Sequence, residues 1–318
     1  MQKYDFIPDV HGNYARLTQT LDALGYDLND HQHPEGRIAA FLGDFIDRGR
    51  QNGPVLKHVR AMVEAGSAVA IMGNHELNAI LFHTPDGRGD WLRRRSTSNI
   101  KQHRTFLDEF EPGGRESEDH IAWMMSLPLY LDLDGARMVH ASWDQKAIDT
   151  IAERRPDGRL HPDDLPSIGE EDKSDPFTAA VINSLKGPER RLPKGGFFLD
   201  NHGNERKKIR LKWWELNPDT WRDIMISVPN PVGVPATPFP EELLPTPYLE
   251  TEPPVFIGHY QRYGPVSFER DNVLCLDHPE VLAAYSWNGE QTLRADGVLD
   301  PTRRREENYS PSHFDLER

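Results

Sequence analysis

Three apolar runs within residues 1–80 each stop abruptly on a polar cluster, and this most restricts what the chain can become. "KYDFIP" runs into Asp9 and His11, "IAAFL" into "GDFIDRG", and "SAVAIM" into "GNHE". Between them lie helical stretches: "NYARLTQTLDAL", closed by Gly25, and "PVLKHVRAMVEA", where Pro54 suits the first turn and Gly66 ends it. A β-α-β-α-β order with nearly continuous apolar strands predicts a buried, largely parallel sheet. In such a sheet successive strands end at one edge, a common place for active sites in α/β proteins. Carboxylate, imidazole and amide groups would gather there.

Helical character continues through 90–126, and "LYLDL" and "ARMVHA" then form a strand pair turning at Asp134-Gly135. Region 145–253 reads differently. It offers a helix at about 174–186 and a hairpin over "GGFFLDNHGNERKKIRLKWWEL" with its turn near Asn201–Gly203. Nine prolines in 229–254 predict an ordered wrapping loop or a linker. Strands resume with "PVFIGHY", "GPVSFE", "NVLCLD" and "LAAYSW". The expected organisation is one domain over 1–299, with an inserted, substrate-facing region at about 145–253 and a polar tail at 300–318.

Composition removes several function classes. With 51 acidic against 37 basic residues, the net charge of -14 repels phosphate backbones, so broad nucleic-acid binding is not expected. A local basic pocket remains compatible with that charge. The single Cys275 gives neither a disulfide framework nor a cysteine zinc site. No uninterrupted apolar run reaches membrane-spanning length, and "MQKYDFIPDV" lacks a signal-peptide core. The expectation is a cytoplasmic protein with no membrane partner.

Side chains two apart on an extended segment face the same way, so Asp9 and His11 can hold one cation; the alternative is an Asp N-cap beside a surface His. Asp44 and Asp47 are three apart and cannot both point at one atom, which suggests Asp44 on a metal and Asp47 orienting another group. Arg48 is a permanently charged fork suited to phosphate oxygens; its alternative is an ion pair within a turn. His140 in "MVHASW" and His259 in "FIGHY" end later strands. His31, His33, His58 and His103 read as solvated. "DxHG", "GDxxDRG" and "GNHE" in this order arise by chance on the order of one in ten million times or fewer.

The set resembles the calcineurin-like metallophosphoesterases, closest to their phosphoprotein-phosphatase branch and its bacterial diadenosine-tetraphosphatase relatives. The likeness covers residues 4–82 well and then two histidine strand ends. It implies a four-layer α/β/β/α sandwich of two mixed sheets with flanking helices. It also implies a first metal on Asp9, His11 and Asp44, and a second on Asp44, Asn74, His140 and His259. His75 would be the general acid paired with Asp47, Arg48 the phosphate clamp, and Glu76 a support for its loop or a helix-terminal carboxylate. The mixed donors suit two Mn²⁺ ions, with Fe or Zn²⁺ as alternatives. The reaction expected is hydrolysis of a phosphomonoester, on a phosphoprotein or small ester, by a hydroxide generated between the ions. The alternative is cleavage of a dinucleoside polyphosphate. A non-catalytic binding module on this fold would lack the acid or several ligand positions; His75 and all six are present.

Three departures stand out. Pro8 replaces the usual glycine before Asp9. "HASW" replaces a glycine-rich continuation, so Ser142 and Trp143 would narrow the site. The second phosphate-binding arginine has no motif, leaving Arg210, Lys212 and Lys186 as candidates, against a solvated strand face or helix end. Trp213 and Trp214 beside them would stack on substrate or divide between the core and surface of a hairpin.

Overall fold

The computed structural model describes residues 1–200 and 203–302. Its first half follows the expected alternation: β1 (Tyr4–Ile7), α1 (Tyr14–Leu24), β2 (Ile38–Phe41), α2 (Asn52–Glu64), β3 (Ala68–Ala70) and α3 (Asn74–His83). Helices α4 (Thr97–Gln102), α5 (Arg104–Glu109) and α6 (Arg115–Met125) lead into the hairpin β4 (Tyr130–Leu133) and β5 (Ala136–Val139). Then come α7 (Gln145–Arg154), α8 (Leu165–Gly169) and α9 (Pro176–Lys186). Short strands follow, β6 (Glu189–Arg191), β7 (Phe197–Leu199), β8 (Glu205–Arg206) and β9 (Lys208–Leu211), then α10 (Trp221–Ile224), β10 (Met225–Ile226) and β11 (Asn230–Gly233). The chain returns through β12 (Val255–Ile257), β13 (Val273–Cys275), β14 (Ala284–Trp287) and β15 (Val298–Leu299).

Two sheets form the centre. The first has the order β15-β14-β1-β2-β3, with β1, β2 and β3 parallel and β14 antiparallel to β1. The second has the order β13-β12-β5-β4, with β12 parallel to both neighbours. They pack face to face: Phe6, Ala40, Leu42 and Ile71 meet Met138, Phe256, Leu274 and Leu276 in one apolar layer. Phe6 stacks on Phe256 with ring centroids 3.6 Å apart. The other face of the first sheet is covered by Leu17 and Leu21 of α1, Val55, Val59 and Met62 of α2, and Leu77 and Ile80 of α3. This is an α/β sandwich of two mixed sheets with flanking helices.

The outer face of the second sheet is closed differently. Val139, Val255, Ile257 and Val273 are covered by Ile148 of α7 together with Trp143, Trp213, Trp214 and Tyr248. Trp213 and Trp214 are therefore both buried, not split between core and surface and not free to stack on a ligand. Trp143 is a core residue too, edge-on to Tyr130 with its indole N–H on Gln145 Oε1 at 3.2 Å. Core demand explains all three, because a bare sheet face costs about 25 cal/mol per Å² of exposed apolar area.

The remaining differences lie where pattern and pairing part company. "GPVSFE" is not a strand; Val266 and Phe268 pack on the layer between the sheets from irregular chain. The expected hairpin divides at Lys207, since β8 pairs with β7 whereas β9 pairs with β6 and β10. Its turn residues Asn201 and His202, and 303–318 of the tail, lie outside the described residues. The proline-rich 229–254 holds β11 and otherwise wraps, burying Phe239 and Tyr248. Among the described residues no helix is long and apolar enough to cross a membrane.

Candidate metal centre

The carboxyl ends of β1, β2, β3, β5 and β12 bring Asp9, His11, Asp44, Asn74, His140 and His259 together. His11 Nε2 lies 3.7 Å from both Asp9 Oδ2 and Asp44 Oδ2. His140 Nε2 is 3.4 Å from Asp44 Oδ1 and 3.2 Å from Asn74 Oδ1, and His259 Nδ1 is 2.6 Å from Asn74 Oδ1. Two groups of donors could each hold an ion, Asp9–Asp44–His140 and His11–Asp44–His75, and Asp44 belongs to both.

The backbone is bent hard to achieve this. Among the described residues eight non-glycine residues have positive φ, and five are His11 (47°), Asp44 (52°), Asp47 (69°), Arg48 (62°) and His259 (65°). Such strain persists only where surrounding structure over-determines it, and it concentrates at functional sites. Glu76 supplies much of that determination. Fully buried, it accepts from the N–H groups of Asp44 (2.7 Å), Phe45 (2.8 Å) and Gly73 (2.9 Å), which ties the second strand exit to the start of α3. Both readings of Glu76 thus hold: it caps the helix and supports the loop. Asp44 adds a second tie, with Oδ1 accepting the His75 N–H at 2.8 Å.

Close backbone approach explains two glycines. A Cβ on Gly43, whose φ is 92°, would stand 2.5 Å from Gly73 N. One on Gly258 would stand 2.0 Å from Asp9 Oδ1. Gly258→Ala is therefore expected to push the Asp9 carboxylate out of place at a cost of about 1–3 kcal/mol. Elemental analysis should show bound metal falling from about two towards one ion per chain, while circular dichroism stays native.

The donor set fits cations on its own chemistry. His11 Nε2 and His259 Nε2 are buried without a hydrogen-bond partner among the described residues, although such groups normally find one. The other His11 nitrogen is fixed by the Ile46 carbonyl at 2.9 Å and that of His140 by Leu42 at 2.8 Å, which leaves each Nε2 facing the cluster. Burial, then the charge of His75, pushes His11 down to about 3, so it stands neutral with a lone pair to offer. Burial raises Asp9 to about 7 against the pull of His140. Burial works against charged His140 as well, but Asp44 and Asp9 outweigh it and hold it at about 10. Desolvated carboxylates gathered without enough positive charge are the setting a divalent ion relieves.

Beside the cluster, His75 Nδ1 donates to Asp47 Oδ2 at 2.6 Å, while its Nε2 lies 3.9 Å from Asp44 Oδ2. Burial disfavours its charge, yet Asp44 and Asp47 more than compensate and raise its pKa. The Asp47 N–H donates to Asn52 Oδ1 at 2.7 Å, and Asn52 is itself anchored on Glu109. Arg48 is exposed and, among the described residues, has no ion-pair partner; it lines a cavity of about 180 Å³ with Asp9, His11 and Asp277.

The basic candidates of the middle region have partners of their own. The Lys186 ammonium pairs with Glu171 at 2.6 Å, and that of Lys212 donates to the Asp223 carbonyl at 2.9 Å. Arg210 is half-buried, 3.9 Å from Glu189, and after burial its charge helps depress the pKa of His259. Two residues went unread. His103, expected to be solvated, is buried and donates from Nδ1 to Asp47 Oδ1 at 2.8 Å. Asp277, one residue beyond the apolar "VLCL", is buried with Oδ2 unpartnered among the described residues, and burial and Asp9 raise it to about 8. Its strand-end position was the available signal. His58 is also buried, against Tyr14, away from the cluster.

Two packed mixed sheets whose strand ends gather two overlapping donor groups define a metallophosphoesterase. The chain belongs to the calcineurin-like phosphoesterase family, matched over residues 3–263, and membership carries the enzyme class with it, a metal-dependent phosphoesterase. It is 41% identical over 75 residues to the asymmetrical bis(5'-nucleosyl)-tetraphosphatase PrpE of Halalkalibacterium halodurans, covering 23% of this chain and 30% of that protein. To the PrpE of a Geobacillus species it is 29% identical over 141 residues, covering 44% and 56%. The chain thus spans between about a third and a half of the length of these relatives. A solved structure, the protein serine/threonine phosphatase from Saccharomyces cerevisiae with similarity to human phosphatase PP5, aligns over 94% of this chain and 79% of its own, with a TM-score of 0.48 at 14% identity.

Proposed function

We propose that the protein is a two-metal hydrolase of dinucleoside polyphosphates, cleaving a P–O–P anhydride. The observation that carries this reading is the sequence similarity to bis(5'-nucleosyl)-tetraphosphatases on top of family membership. It moves the balance away from the phosphomonoester expected first. In this reading Asp9, His11 and Asp44 hold one ion, and Asp44, Asn74, His140 and His259 hold the other, both Mn²⁺. When bound, two such ions would supply charge to neutralise phosphate oxygens and would lower the pKa of water enough to give a nucleophile near neutral pH. Arg48, exposed and without an ion-pair partner among the described residues, clamps a phosphate oxygen as charge develops. His75 donates a proton from Nε2 to the leaving oxygen, with Nδ1 held by Asp47.

The phosphomonoester reading keeps one specific support. A buried His–Asp pair poised as an acid matters most for an alkoxide leaving group, whereas a nucleotide phosphate departs with less help. A panel of dinucleoside polyphosphates, phosphopeptides and aryl phosphate, assayed with Mn²⁺ after chelation, separates the two. The proposal expects the highest kcat/KM on a dinucleoside tetraphosphate and no turnover before metal is restored. A higher value on phosphopeptide, or full activity in metal-free protein, would reverse it.

Within the same reading, region 145–253 acts as the substrate selector through Arg210 rather than through Trp213 and Trp214. Arg210→Ala is expected to raise KM for the dinucleotide by roughly 3- to 30-fold, the scale of one charge-assisted hydrogen bond, with a smaller effect on aryl phosphate. Equal effects on both substrates in steady-state assays would make the region structural.

A further inference from the structure

We propose that His103 is a positioning residue for the catalytic acid, holding Asp47 from behind so that His75 is aimed at the leaving group. The inference rests on the reading of His75 as that acid. Asp47 stands between two imidazoles: Oδ2 accepts from His75 Nδ1 at 2.6 Å and Oδ1 from His103 Nδ1 at 2.8 Å. A carboxylate held at one oxygen turns readily about its terminal torsion, which has no sharp minima. A second N–H on the other oxygen fixes that rotation, and with it the plane of His75.

His103 is built to do this. It lies between α4 and α5, its N–H donating to Asn99 O and its carbonyl accepting from Leu107 N, so its backbone is set by both helices. Its ring stacks on Phe106 at 4.7 Å and 16° and leans on Phe82 at 5.2 Å. The far nitrogen is engaged as well, with His103 Nε2 3.2 Å from His83 Nε2. The protons can be assigned. An ionised carboxylate only accepts, so both Nδ1 atoms facing Asp47 carry hydrogen. With hydrogen on Nδ1, His103 can accept at Nε2, where His83 Nε2 stands 3.2 Å away as the donor. Burial and His103 push His83 down to about 4, which leaves it as the neutral ring this arrangement needs. The result is one directed chain, His83 to His103 to Asp47, with His75 on the opposite oxygen.

Three substitutions test the assignment. His103→Phe preserves the stack on Phe106 and removes the donor. His103→Asn returns an amide N–H near the Nδ1 position, and His103→Gln places it near Nε2 instead. Each is assayed in the Mn²⁺-loaded protein beside His75→Asn, on glycerol phosphate and p-nitrophenyl phosphate, with metal content recorded; the downfield imidazole proton resonance of His75 is followed in the His103 variants loaded with diamagnetic Zn²⁺. His103→Phe and His103→Gln should lower kcat on glycerol phosphate by about 10- to 100-fold, and markedly less on the aryl ester. KM and metal content should hold, and His103→Asn should recover most of the loss together with the resonance. If His103→Phe does not fold, the contrast between Asn and Gln decides alone. Equal losses on both esters, or His103→Asn no better than His103→Gln, overturn the positioning role while His75→Asn still discriminates between leaving groups. A His75→Asn variant that fails to discriminate overturns the acid reading and this inference together.

Discussion

Asp44→Asn is expected to remove both ions and at least about 4 kcal/mol of transition-state stabilisation, roughly a thousandfold in rate. Asp44 is the one residue common to both donor groups, with Oδ1 turned to His140 and Oδ2 to His11. Removing its charge weakens both groups at once, whereas Asp9→Asn touches only one. The substitution is also clean. Asn tolerates the left-handed backbone that Asp44 adopts at φ 52°, and its amide oxygen can still accept the His75 N–H. Thermal unfolding in excess chelator should therefore match wild type. In saturating Mn²⁺ the wild type alone should gain stability, by about 2.7 kcal/mol per site at a hundredfold excess over Kd. An Asp44→Asn protein that still binds two ions and keeps a tenth of its activity would rule out the shared-ligand arrangement.

What could be read from the chain follows physical lines. Asp9, Asp44, Asn74, His140 and His259 were legible because each ends or shortly follows an apolar strand, and a sheet delivers strand ends to one edge. Asp277 obeys the same rule after β13 and could have been found by it. His103 could not. It lies between two six-residue helices, and only the packing of α4 and α5 carries it to Asp47, 56 residues away in sequence. The tryptophans failed for a different reason. Trp143, Trp213 and Trp214 look like ligand contacts when seen beside basic residues, but the second sheet has an outer face that its helices leave partly open, and large rings were needed there. "GPVSFE" alternates like a strand because Val266 and Phe268 are drawn to the core, and alternation reports burial rather than a hydrogen-bonded ladder.

His75→Asn should separate two roles that geometry leaves joined. His75 Nε2 lies close enough to His11 and Asp44 to serve as a third metal donor, yet its Nδ1 bond to Asp47 has the form of an acid held by a carboxylate. As the acid, it should lose about 10²- to 10⁴-fold in kcat on alkyl phosphates when replaced. The loss should shrink on aryl phosphates, whose leaving group needs little protonation, and metal content should stay near two ions per chain. As a ligand, it should lose metal first, with every substrate suffering alike. Asn suits the comparison because it can occupy the second position of α3 and still reach Asp47 with an amide N–H. Elemental analysis read beside a leaving-group series therefore decides the assignment. Uniform losses accompanied by depleted metal would transfer His75 to the ligand set and leave the leaving group to be protonated by water.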